Sequence, residues 1–217
     1  MDLQTRKIFD RAFSGAGVLA IALMAAALLI LLAPLVAQGS RAVFFRGTVE
    51  HRRFLLEKFE RGDRERVEAD VRAAAAAREP VWRMLADFDA QLAAGDAARR
   101  RQYRPALKDL RKELRSLLGP EPGTPRPPLL RDQYGQTRLD LARRGLEQVL
   151  RREEWDYSDP VQGGVRRLRP RAEDFAGTPL AALFPYVEKN FAAMLLPRRT
   201  CYWGFFTDES FDAHFFG

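Results

Sequence analysis

An uncharged apolar segment near the N-terminus constrains this chain more than any other feature. No charged residue occurs from Ala12 to Ser40. Residues 16–37 are predominantly apolar on every side of a helix, and at 1.5 Å rise per residue they would span about 33 Å, which matches the hydrocarbon core of a bilayer. We therefore predict a transmembrane helix over residues 16–37. Pro34 lies near its end, where membrane helices tolerate proline.

The alternative interpretation is a cleaved signal peptide whose basic region contains Arg6, Lys7 and Arg11. The apolar core of a signal peptide is shorter, about 7–15 residues. The residues 35–37 also match the small-residue cleavage pattern poorly. We therefore favour an uncleaved anchor, with the lipid bilayer as its partner. Basic residues flank both ends of the segment, so charge alone does not choose its orientation.

The soluble part of the chain has the periodicity of amphipathic helices. Apolar residues recur at steps of three and four, as expected for helices that bury one face. The four stripes are Val81, Leu85, Phe88 and Leu92 with Trp82; Tyr103, Leu107, Leu110, Leu114 and Leu117; Leu139, Ala142, Leu146 and Val149; and Leu180, Phe184, Val187, Phe191 and Met194. Arg111 falls outside its stripe and is expected to be exposed. No long alternating pattern predicts a strand.

Glycine and proline mark the expected breaks between these helices. The breaks are a bend at Gly62 and Asp63, a turn at Gly95 with Asp96 as N-cap, a loop from Gly119 to Pro128, an irregular stretch from Asp156 to Pro179, a helix start at Thr178 and Pro179, and a helix end at Pro197. We therefore predict an all-α fold. One N-terminal transmembrane helix is followed by an extracytoplasmic helical bundle or hairpin domain with irregular Pro/Gly-rich loops.

The last residues of the chain are rich in aromatic side chains. Seven occur within sixteen positions: Tyr202, Trp203, Phe205, Phe206, Phe211, Phe215 and Phe216. Because aromatic rings gather at membrane–water interfaces, we predict that this segment returns to the membrane, in preference to folding onto the domain core. The predicted organisation is a cytoplasmic N-terminus over residues 1–15, the transmembrane helix over 16–37, the helical extracytoplasmic domain over 41–197 and the returning segment over 198–217.

No residue pattern predicts catalysis, and we expect no enzymatic activity, no cofactor and no metal ion. Asp208, Glu209, Asp212 and His214 lie close together, but they lack EF-hand spacing and a second histidine. The single cysteine, Cys201, has no nearby base in the sequence and forms no internal disulfide. No glycine-rich phosphate loop is present, and the serines lie in no nucleophile elbow.

The formal net charge of +7 is concentrated in arginine clusters, of which residues 99–104 and 166–171 are the clearest. Such clusters occur in nucleic-acid-binding proteins. Here acidic residues are interspersed and a membrane anchor precedes them, so we predict no nucleic-acid partner. A solvated face or contact with lipid head groups is the preferred interpretation.

The order of these segments, with the stretches Leu180–Pro197 and Trp203–Gly217, resembles a known family. The chain is similar to the N-terminal region of PstA-type permease subunits of bacterial phosphate ABC importers, in the variant with a large domain between the first and second membrane helices. The resemblance implies an inner-membrane protein with a cytoplasmic N-terminus and an extracytoplasmic insert. It also implies three partners: a companion permease subunit, an ATPase pair and a phosphate-binding protein.

The resemblance assigns no site residue. The family's second membrane helix would begin just beyond Gly217, and the 217 residues contain no cytoplasmic coupling loop of the kind that docks on the ATPase. We therefore expect a structural or regulatory domain of a phosphate importer permease. The alternative is a self-contained single-pass membrane protein whose helical domain scaffolds cell-envelope partners.

Overall fold

The computed structural model describes residues 3–156 and 164–202, apart from the side chains of residues 3–14 and 42. These residues form two compact units. The first holds residues 3–44 with 201–202, and the second holds residues 45–156 with 164–200. The elements are α1 (Leu3–Val43), β1 (Phe44–Gly47), α2 (Val49–Phe59), α3 (Arg64–Ala94), α4 (Ala97–Leu118), α5 (Leu139–Leu150), β2 (Arg151–Asp156), β3 (Val165–Pro170), α6 (Leu183–Leu195) and β4 (Arg198–Cys201), with 3-10 turns at Leu130–Gln133, Arg171–Phe175 and Pro179–Ala182.

The first unit is dominated by α1, which is longer than the predicted transmembrane helix over residues 16–37. It runs from Leu3 to Val43 and contains Pro34. The backbone N–H of Tyr202 donates a hydrogen bond to the carbonyl of Val43 at 2.8 Å. The described chain therefore returns to the C-terminal end of α1 after the second unit.

The second unit contains a hydrophobic core built by α3, α4, α5 and α6. The four predicted apolar stripes all contribute to it, with Tyr103, Leu146 and Phe191 partly buried at its border. Leu110 and Leu114 are completely buried. The expected exposure of Arg111 was wrong: this side chain is 26% exposed and pairs with Asp89 and Glu121. A long guanidinium at the edge of a stripe can lie along the neighbouring helix, which periodicity alone does not reveal.

The helix ends follow most of the predicted breaks. Asp96 is the N-cap of α4, where its carboxylate accepts a hydrogen bond from the N–H of Arg99 at 2.7 Å. Asp63 caps α3 in the same way, and the loop from Gly119 to Pro128 is irregular. The predicted start at Thr178 is a 3-10 turn, and α6 itself begins at Leu183.

The second unit is not purely helical, which corrects the all-α prediction. Strands β1 and β4 form one two-stranded sheet, and β2 and β3 form another. In the antiparallel β2–β3 ribbon, β2 ends at the first residue of the stretch that was predicted to be irregular, and β3 lies within that stretch. Its strands are rich in arginine and glutamate, so they lack the apolar–polar alternation by which strands are recognised.

Two arginines bind carbonyl groups at the C-terminal end of α6. The Nε atom of Arg78 donates to the carbonyl of Met194 at 2.9 Å. The Nη2 atom of Arg52 donates to the carbonyl of Leu196 at 3.0 Å. The last carbonyls of a helix have no partner within the helix and carry partial negative charge, so buried cations satisfy and stabilise this end.

Candidate functional site

The part of α1 from Gly15 to Arg41 is long and apolar enough to cross a membrane. It contains 27 residues, and none of its most apolar window is buried within the protein. At 1.5 Å per residue it is about 40 Å long, which exceeds a hydrocarbon core of about 30 Å. All the described side chains from Gly15 to Arg41 are exposed, so this part of α1 has the length, composition and exposure that are typical of a membrane-spanning helix.

The β2–β3 ribbon is an exposed part of the second unit. Arg151 pairs with Pro170 at its base and Asp156 with Val165 at the last described pair. Every residue of the two strands except Asp156 is exposed. The ribbon packs on α5 and on the turn Arg171–Phe175, at its base. Six residues per strand at about 3.3 Å each give an arm about 20 Å long.

One face of this arm carries exposed apolar side chains. Trp155 is 54% exposed and Leu168 is 55% exposed. The register pairs Trp155 with Arg166 and Glu153 with Leu168, so all four side chains share one face of the ribbon. Sequence reasoning missed Trp155. The signal in the sequence was a single tryptophan within a run of charged residues, where it could not belong to the apolar stripe of a helix.

Ion pairs between and beside the strands stabilise the ribbon in water. Arg166 pairs with Glu153 across the strands. Arg167 pairs with Asp156 at 2.9 Å, and Arg169 lies 2.9 Å from Glu173. Isolated two-stranded ribbons are marginally stable, and cross-strand charge pairs contribute about 0.2–1 kcal/mol each. Arg166 and Arg167 therefore connect the two strands, whereas Arg169 pairs with the turn that follows β3.

Arg171, the last arginine of the predicted basic cluster, has a different role. It is 8% exposed, and its Nε atom donates to the carbonyl of Gln148 near the end of α5 at 2.8 Å. This contact fixes the base of the ribbon on the helical core. The other predicted cluster, residues 99–104, lies in the first two turns of α4, where its arginines are exposed and Tyr103 packs against the core.

A buried histidine lies at the start of the second unit. His51 in α2 is completely buried, and its ring meets the ring of Phe45 edge to face at 5.1 Å. Burial, with Arg52 and Arg138 nearby, lowers its pKa to about 4. His51 is therefore neutral at physiological pH and belongs to the core of the fold.

Hydrogen bonds to the Glu57 carboxylate join α2 to Tyr134, the residue directly after the 3-10 turn Leu130–Gln133. The Glu57 carboxylate accepts hydrogen bonds from the Tyr134 hydroxyl and from Nε of Arg53, the latter at 2.9 Å. Burial acts to raise the pKa of Glu57, but these two hydrogen bonds prevail and lower it. Burial and the Glu57 carboxylate raise the pKa of Tyr134, so this tyrosine stays protonated.

The residues considered for chemistry in the sequence are not brought together in the described part of the chain. Within residues 3–156 and 164–202, no group of three or more His, Cys, Asp or Glu side chains is arranged to hold a metal ion. Asp208, Glu209, Asp212 and His214 lie outside the described residues, as does the returning segment beyond Tyr202. Cys201 is exposed.

Comparison of the chain with protein-family models, with curated proteins and with solved structures found no match.

Proposed function

We propose that this chain is a membrane-anchored helical module that acts by contact with other proteins at a bacterial inner membrane. Following the resemblance, we assign it to the N-terminal part of a phosphate ABC importer permease subunit. Residues after about Ser40 then lie outside the cytoplasm. The partners are a companion permease subunit, an ATPase pair and a phosphate-binding protein. The second unit has a structural or regulatory role and no catalytic one.

The observation that carries this proposal is the hydrogen bond from Tyr202 to Val43 at the end of α1. An inserted domain leaves and re-enters its host at neighbouring points, since domain ends are often close together. The chain leaves α1 at Val43 and is back beside it at Tyr202, the first aromatic residue of the predicted returning segment. This arrangement supports an insert between two membrane segments.

The ribbon face with Trp155 and Leu168 supports contact as the mode of action. Both side chains are more than half exposed, although the burial of apolar surface away from water is favourable. Tryptophan is also enriched among residues that dominate binding energy at protein interfaces. The ribbon reaches away from the core, so a partner can bind both strands without disturbing the helices.

A site-specific crosslinking experiment tests the proposal. A photo-crosslinking amino acid replaces Trp155 in the full-length protein, in phosphate-limited bacterial cells, and the crosslinked proteins are identified by mass spectrometry. We expect a phosphate importer component among them. The control position is Arg83, which is exposed on α3 and should yield no such product. Products that contain no importer component, with the protein at normal membrane abundance, would contradict the proposal.

A deletion separates the importer role from the alternative of a self-contained envelope scaffold. If residues 46–197 are removed from a longer permease reading frame, we expect altered phosphate uptake at low external phosphate, with the permease still in the membrane. A stop codon directly after Gly217, or unchanged uptake at every phosphate concentration, would favour the scaffold.

A further inference from the structure

A groove of about 560 Å³ lies between α2, the first two turns of α3 and the segment around Tyr134. Its volume is within the range of small-molecule sites, roughly 300–1,000 Å³. Leu56, Val67 and Tyr134 line it and are buried, and Val71 beside them is half-buried. These four side chains form the apolar part of the groove, named here the α2–α3 groove.

The remaining lining residues are charged, and basic side chains are in excess. Arg53 neutralises Glu57 through their ion pair at 2.9 Å. The other charged residues of the groove are Lys58, Arg64, Arg72 and Arg126 on the basic side and Glu60 and Glu68 on the acidic side. Their formal sum is 4 − 2 = +2. An anion that enters the groove therefore meets a net positive charge.

Four of these basic side chains have no carboxylate partner in the described part of the chain. Lys58, Arg64, Arg72 and Arg126 make no ion pair within 4.0 Å among the described residues. Arg64 and Arg72 are eight positions apart on α3, so they lie on one side of the helix, and the stripe of Val67 and Val71 runs beside them. Unpaired guanidinium groups next to an apolar surface can bind a carboxylate or phosphate through charge-assisted hydrogen bonds.

From this geometry we infer that the α2–α3 groove binds a small anionic amphiphile. Arg64 and Arg72 hold its carboxylate or phosphate head group, and Leu56, Val67 and Val71 hold its short apolar tail. The inference does not depend on the proposed function, because no residue of the groove belongs to the β2–β3 ribbon. The ligand has two possible sources, a phospholipid of the bilayer or a free small organic acid or phosphate ester.

The test uses the full chain in nanodiscs of zwitterionic phosphatidylcholine and a photoreactive octyl phosphate as probe. After irradiation, the labelled peptides are identified by mass spectrometry. We expect labels within residues 56–72 and competition by unlabelled octyl phosphate. Inorganic phosphate and octanol should compete at least tenfold more weakly, because each supplies only half of the ligand. Competition by inorganic phosphate at equal concentration, or labelling spread over the whole domain, would overturn the inference.

Matched variants decide whether the basic side chains matter. Arg64→Gln combined with Arg72→Gln should reduce labelling at least tenfold, and the thermal unfolding temperature should not change, because neither side chain has an ionic partner. Arg100→Gln with Arg104→Gln removes the same charge from exposed positions in α4 and should leave labelling unchanged. Equal labelling of both double variants would refute the site.

Competition by phosphatidylglycerol in the nanodisc identifies a lipid as the source of the ligand. Competition by octanoate alone identifies a free acid as the source.

Discussion

The guanidinium of Arg78 in α3 lies 2.6 Å from the carboxylate of Glu50 in α2, and both side chains are buried. The same Nη1 atom donates to the carbonyl of Leu118, the last residue of α4, at 2.8 Å. With its bond to Met194, Arg78 joins α3 to three other helices. A planar guanidinium offers several donors in fixed directions, so it can make these contacts at once.

Replacement of Arg78 by methionine should therefore destabilise the second unit by about 3 kcal/mol, because the buried Glu50 carboxylate loses its nearest partner and keeps only Arg53 at 3.6 Å. The carbonyls of Leu118 and Met194 also lose a donor. The measurement is denaturant unfolding of the full chain in detergent, followed by circular dichroism. Arg83→Met on the same helix is the control. Because the ion pair between Arg83 and Glu79 is solvent-exposed, this substitution should change the free energy of unfolding by less than about 1 kcal/mol. Similar losses for both variants would refute the role of Arg78.

The buried His51 should make the fold sensitive to acid. Its pKa falls from 6.5 to about 4 on folding, so between these pH values the unfolded chain binds a proton that the folded chain does not. Stability is therefore full above about pH 6.5 and falls as the pH drops towards 4, by up to about 3 kcal/mol. Glu57, whose pKa is also lowered, adds a loss below its unfolded pKa.

Unfolding curves at a series of pH values between 7 and 4 test this prediction. His51→Gln removes the titrating group, so stability should depend much less on pH between 6.5 and 5, where carboxylates contribute little. An equally steep decline for the variant and the natural chain in this window would show that other groups cause it.

The apolar stripe of α4 should provide most of what this helix contributes to the stability of the second unit. Leu110 is completely buried, and Leu110→Ala should cost about 2–5 kcal/mol through lost apolar contact and the remaining cavity. Lys112, two positions further, is exposed, and Lys112→Ala should change stability by less than about 0.5 kcal/mol. Denaturant unfolding of the two variants compares them directly, and equal effects would contradict the assigned face of α4.

Two glycines should respond oppositely to alanine. A Cβ atom on Gly135 would lie 2.6 Å from the carbonyl oxygen of Leu117, so backbone must move and stability should fall. A Cβ atom on Gly145, inside α5, would lie 3.3 Å from Cδ1 and 3.9 Å from Cβ of Leu117, so this side chain needs to shift by only a few tenths of an ångström. Alanine favours a helix over glycine by up to about 1 kcal/mol. Gly145→Ala should therefore be neutral or stabilising in thermal unfolding, and a loss at 145 equal to that at 135 would contradict these packing distances.

The proposed orientation is testable through Cys201, which is the chain's single cysteine and is exposed. In intact spheroplasts, a membrane-impermeant maleimide should modify Cys201. A chain with Cys201→Ser and Thr5→Cys should react only after lysis, because its cysteine is then on the cytoplasmic side. The reverse pattern would place the second unit in the cytoplasm and remove the importer assignment.

The sequence by itself determined the apolar span and the helical faces. A helix repeats every 3.6 residues, so stripes such as Leu107 to Leu117 are visible within one short segment. The cap at Asp96 is equally local, since its carboxylate accepts a hydrogen bond from the N–H three residues later. These features were predicted because their cause lies within a few positions of the chain.

Only the tertiary structure decided the ribbon, the groove and the contacts of Arg78. Arg78 binds partners 28 and 116 positions away, at Glu50 and Met194. The ribbon is stabilised by charge pairs across two strands, so its sequence carries no apolar alternation. The α2–α3 groove likewise joins residues near positions 56, 67 and 134. Such features arise when separate elements pack, because the free energy of each contact depends on burial and partner geometry that no local pattern encodes.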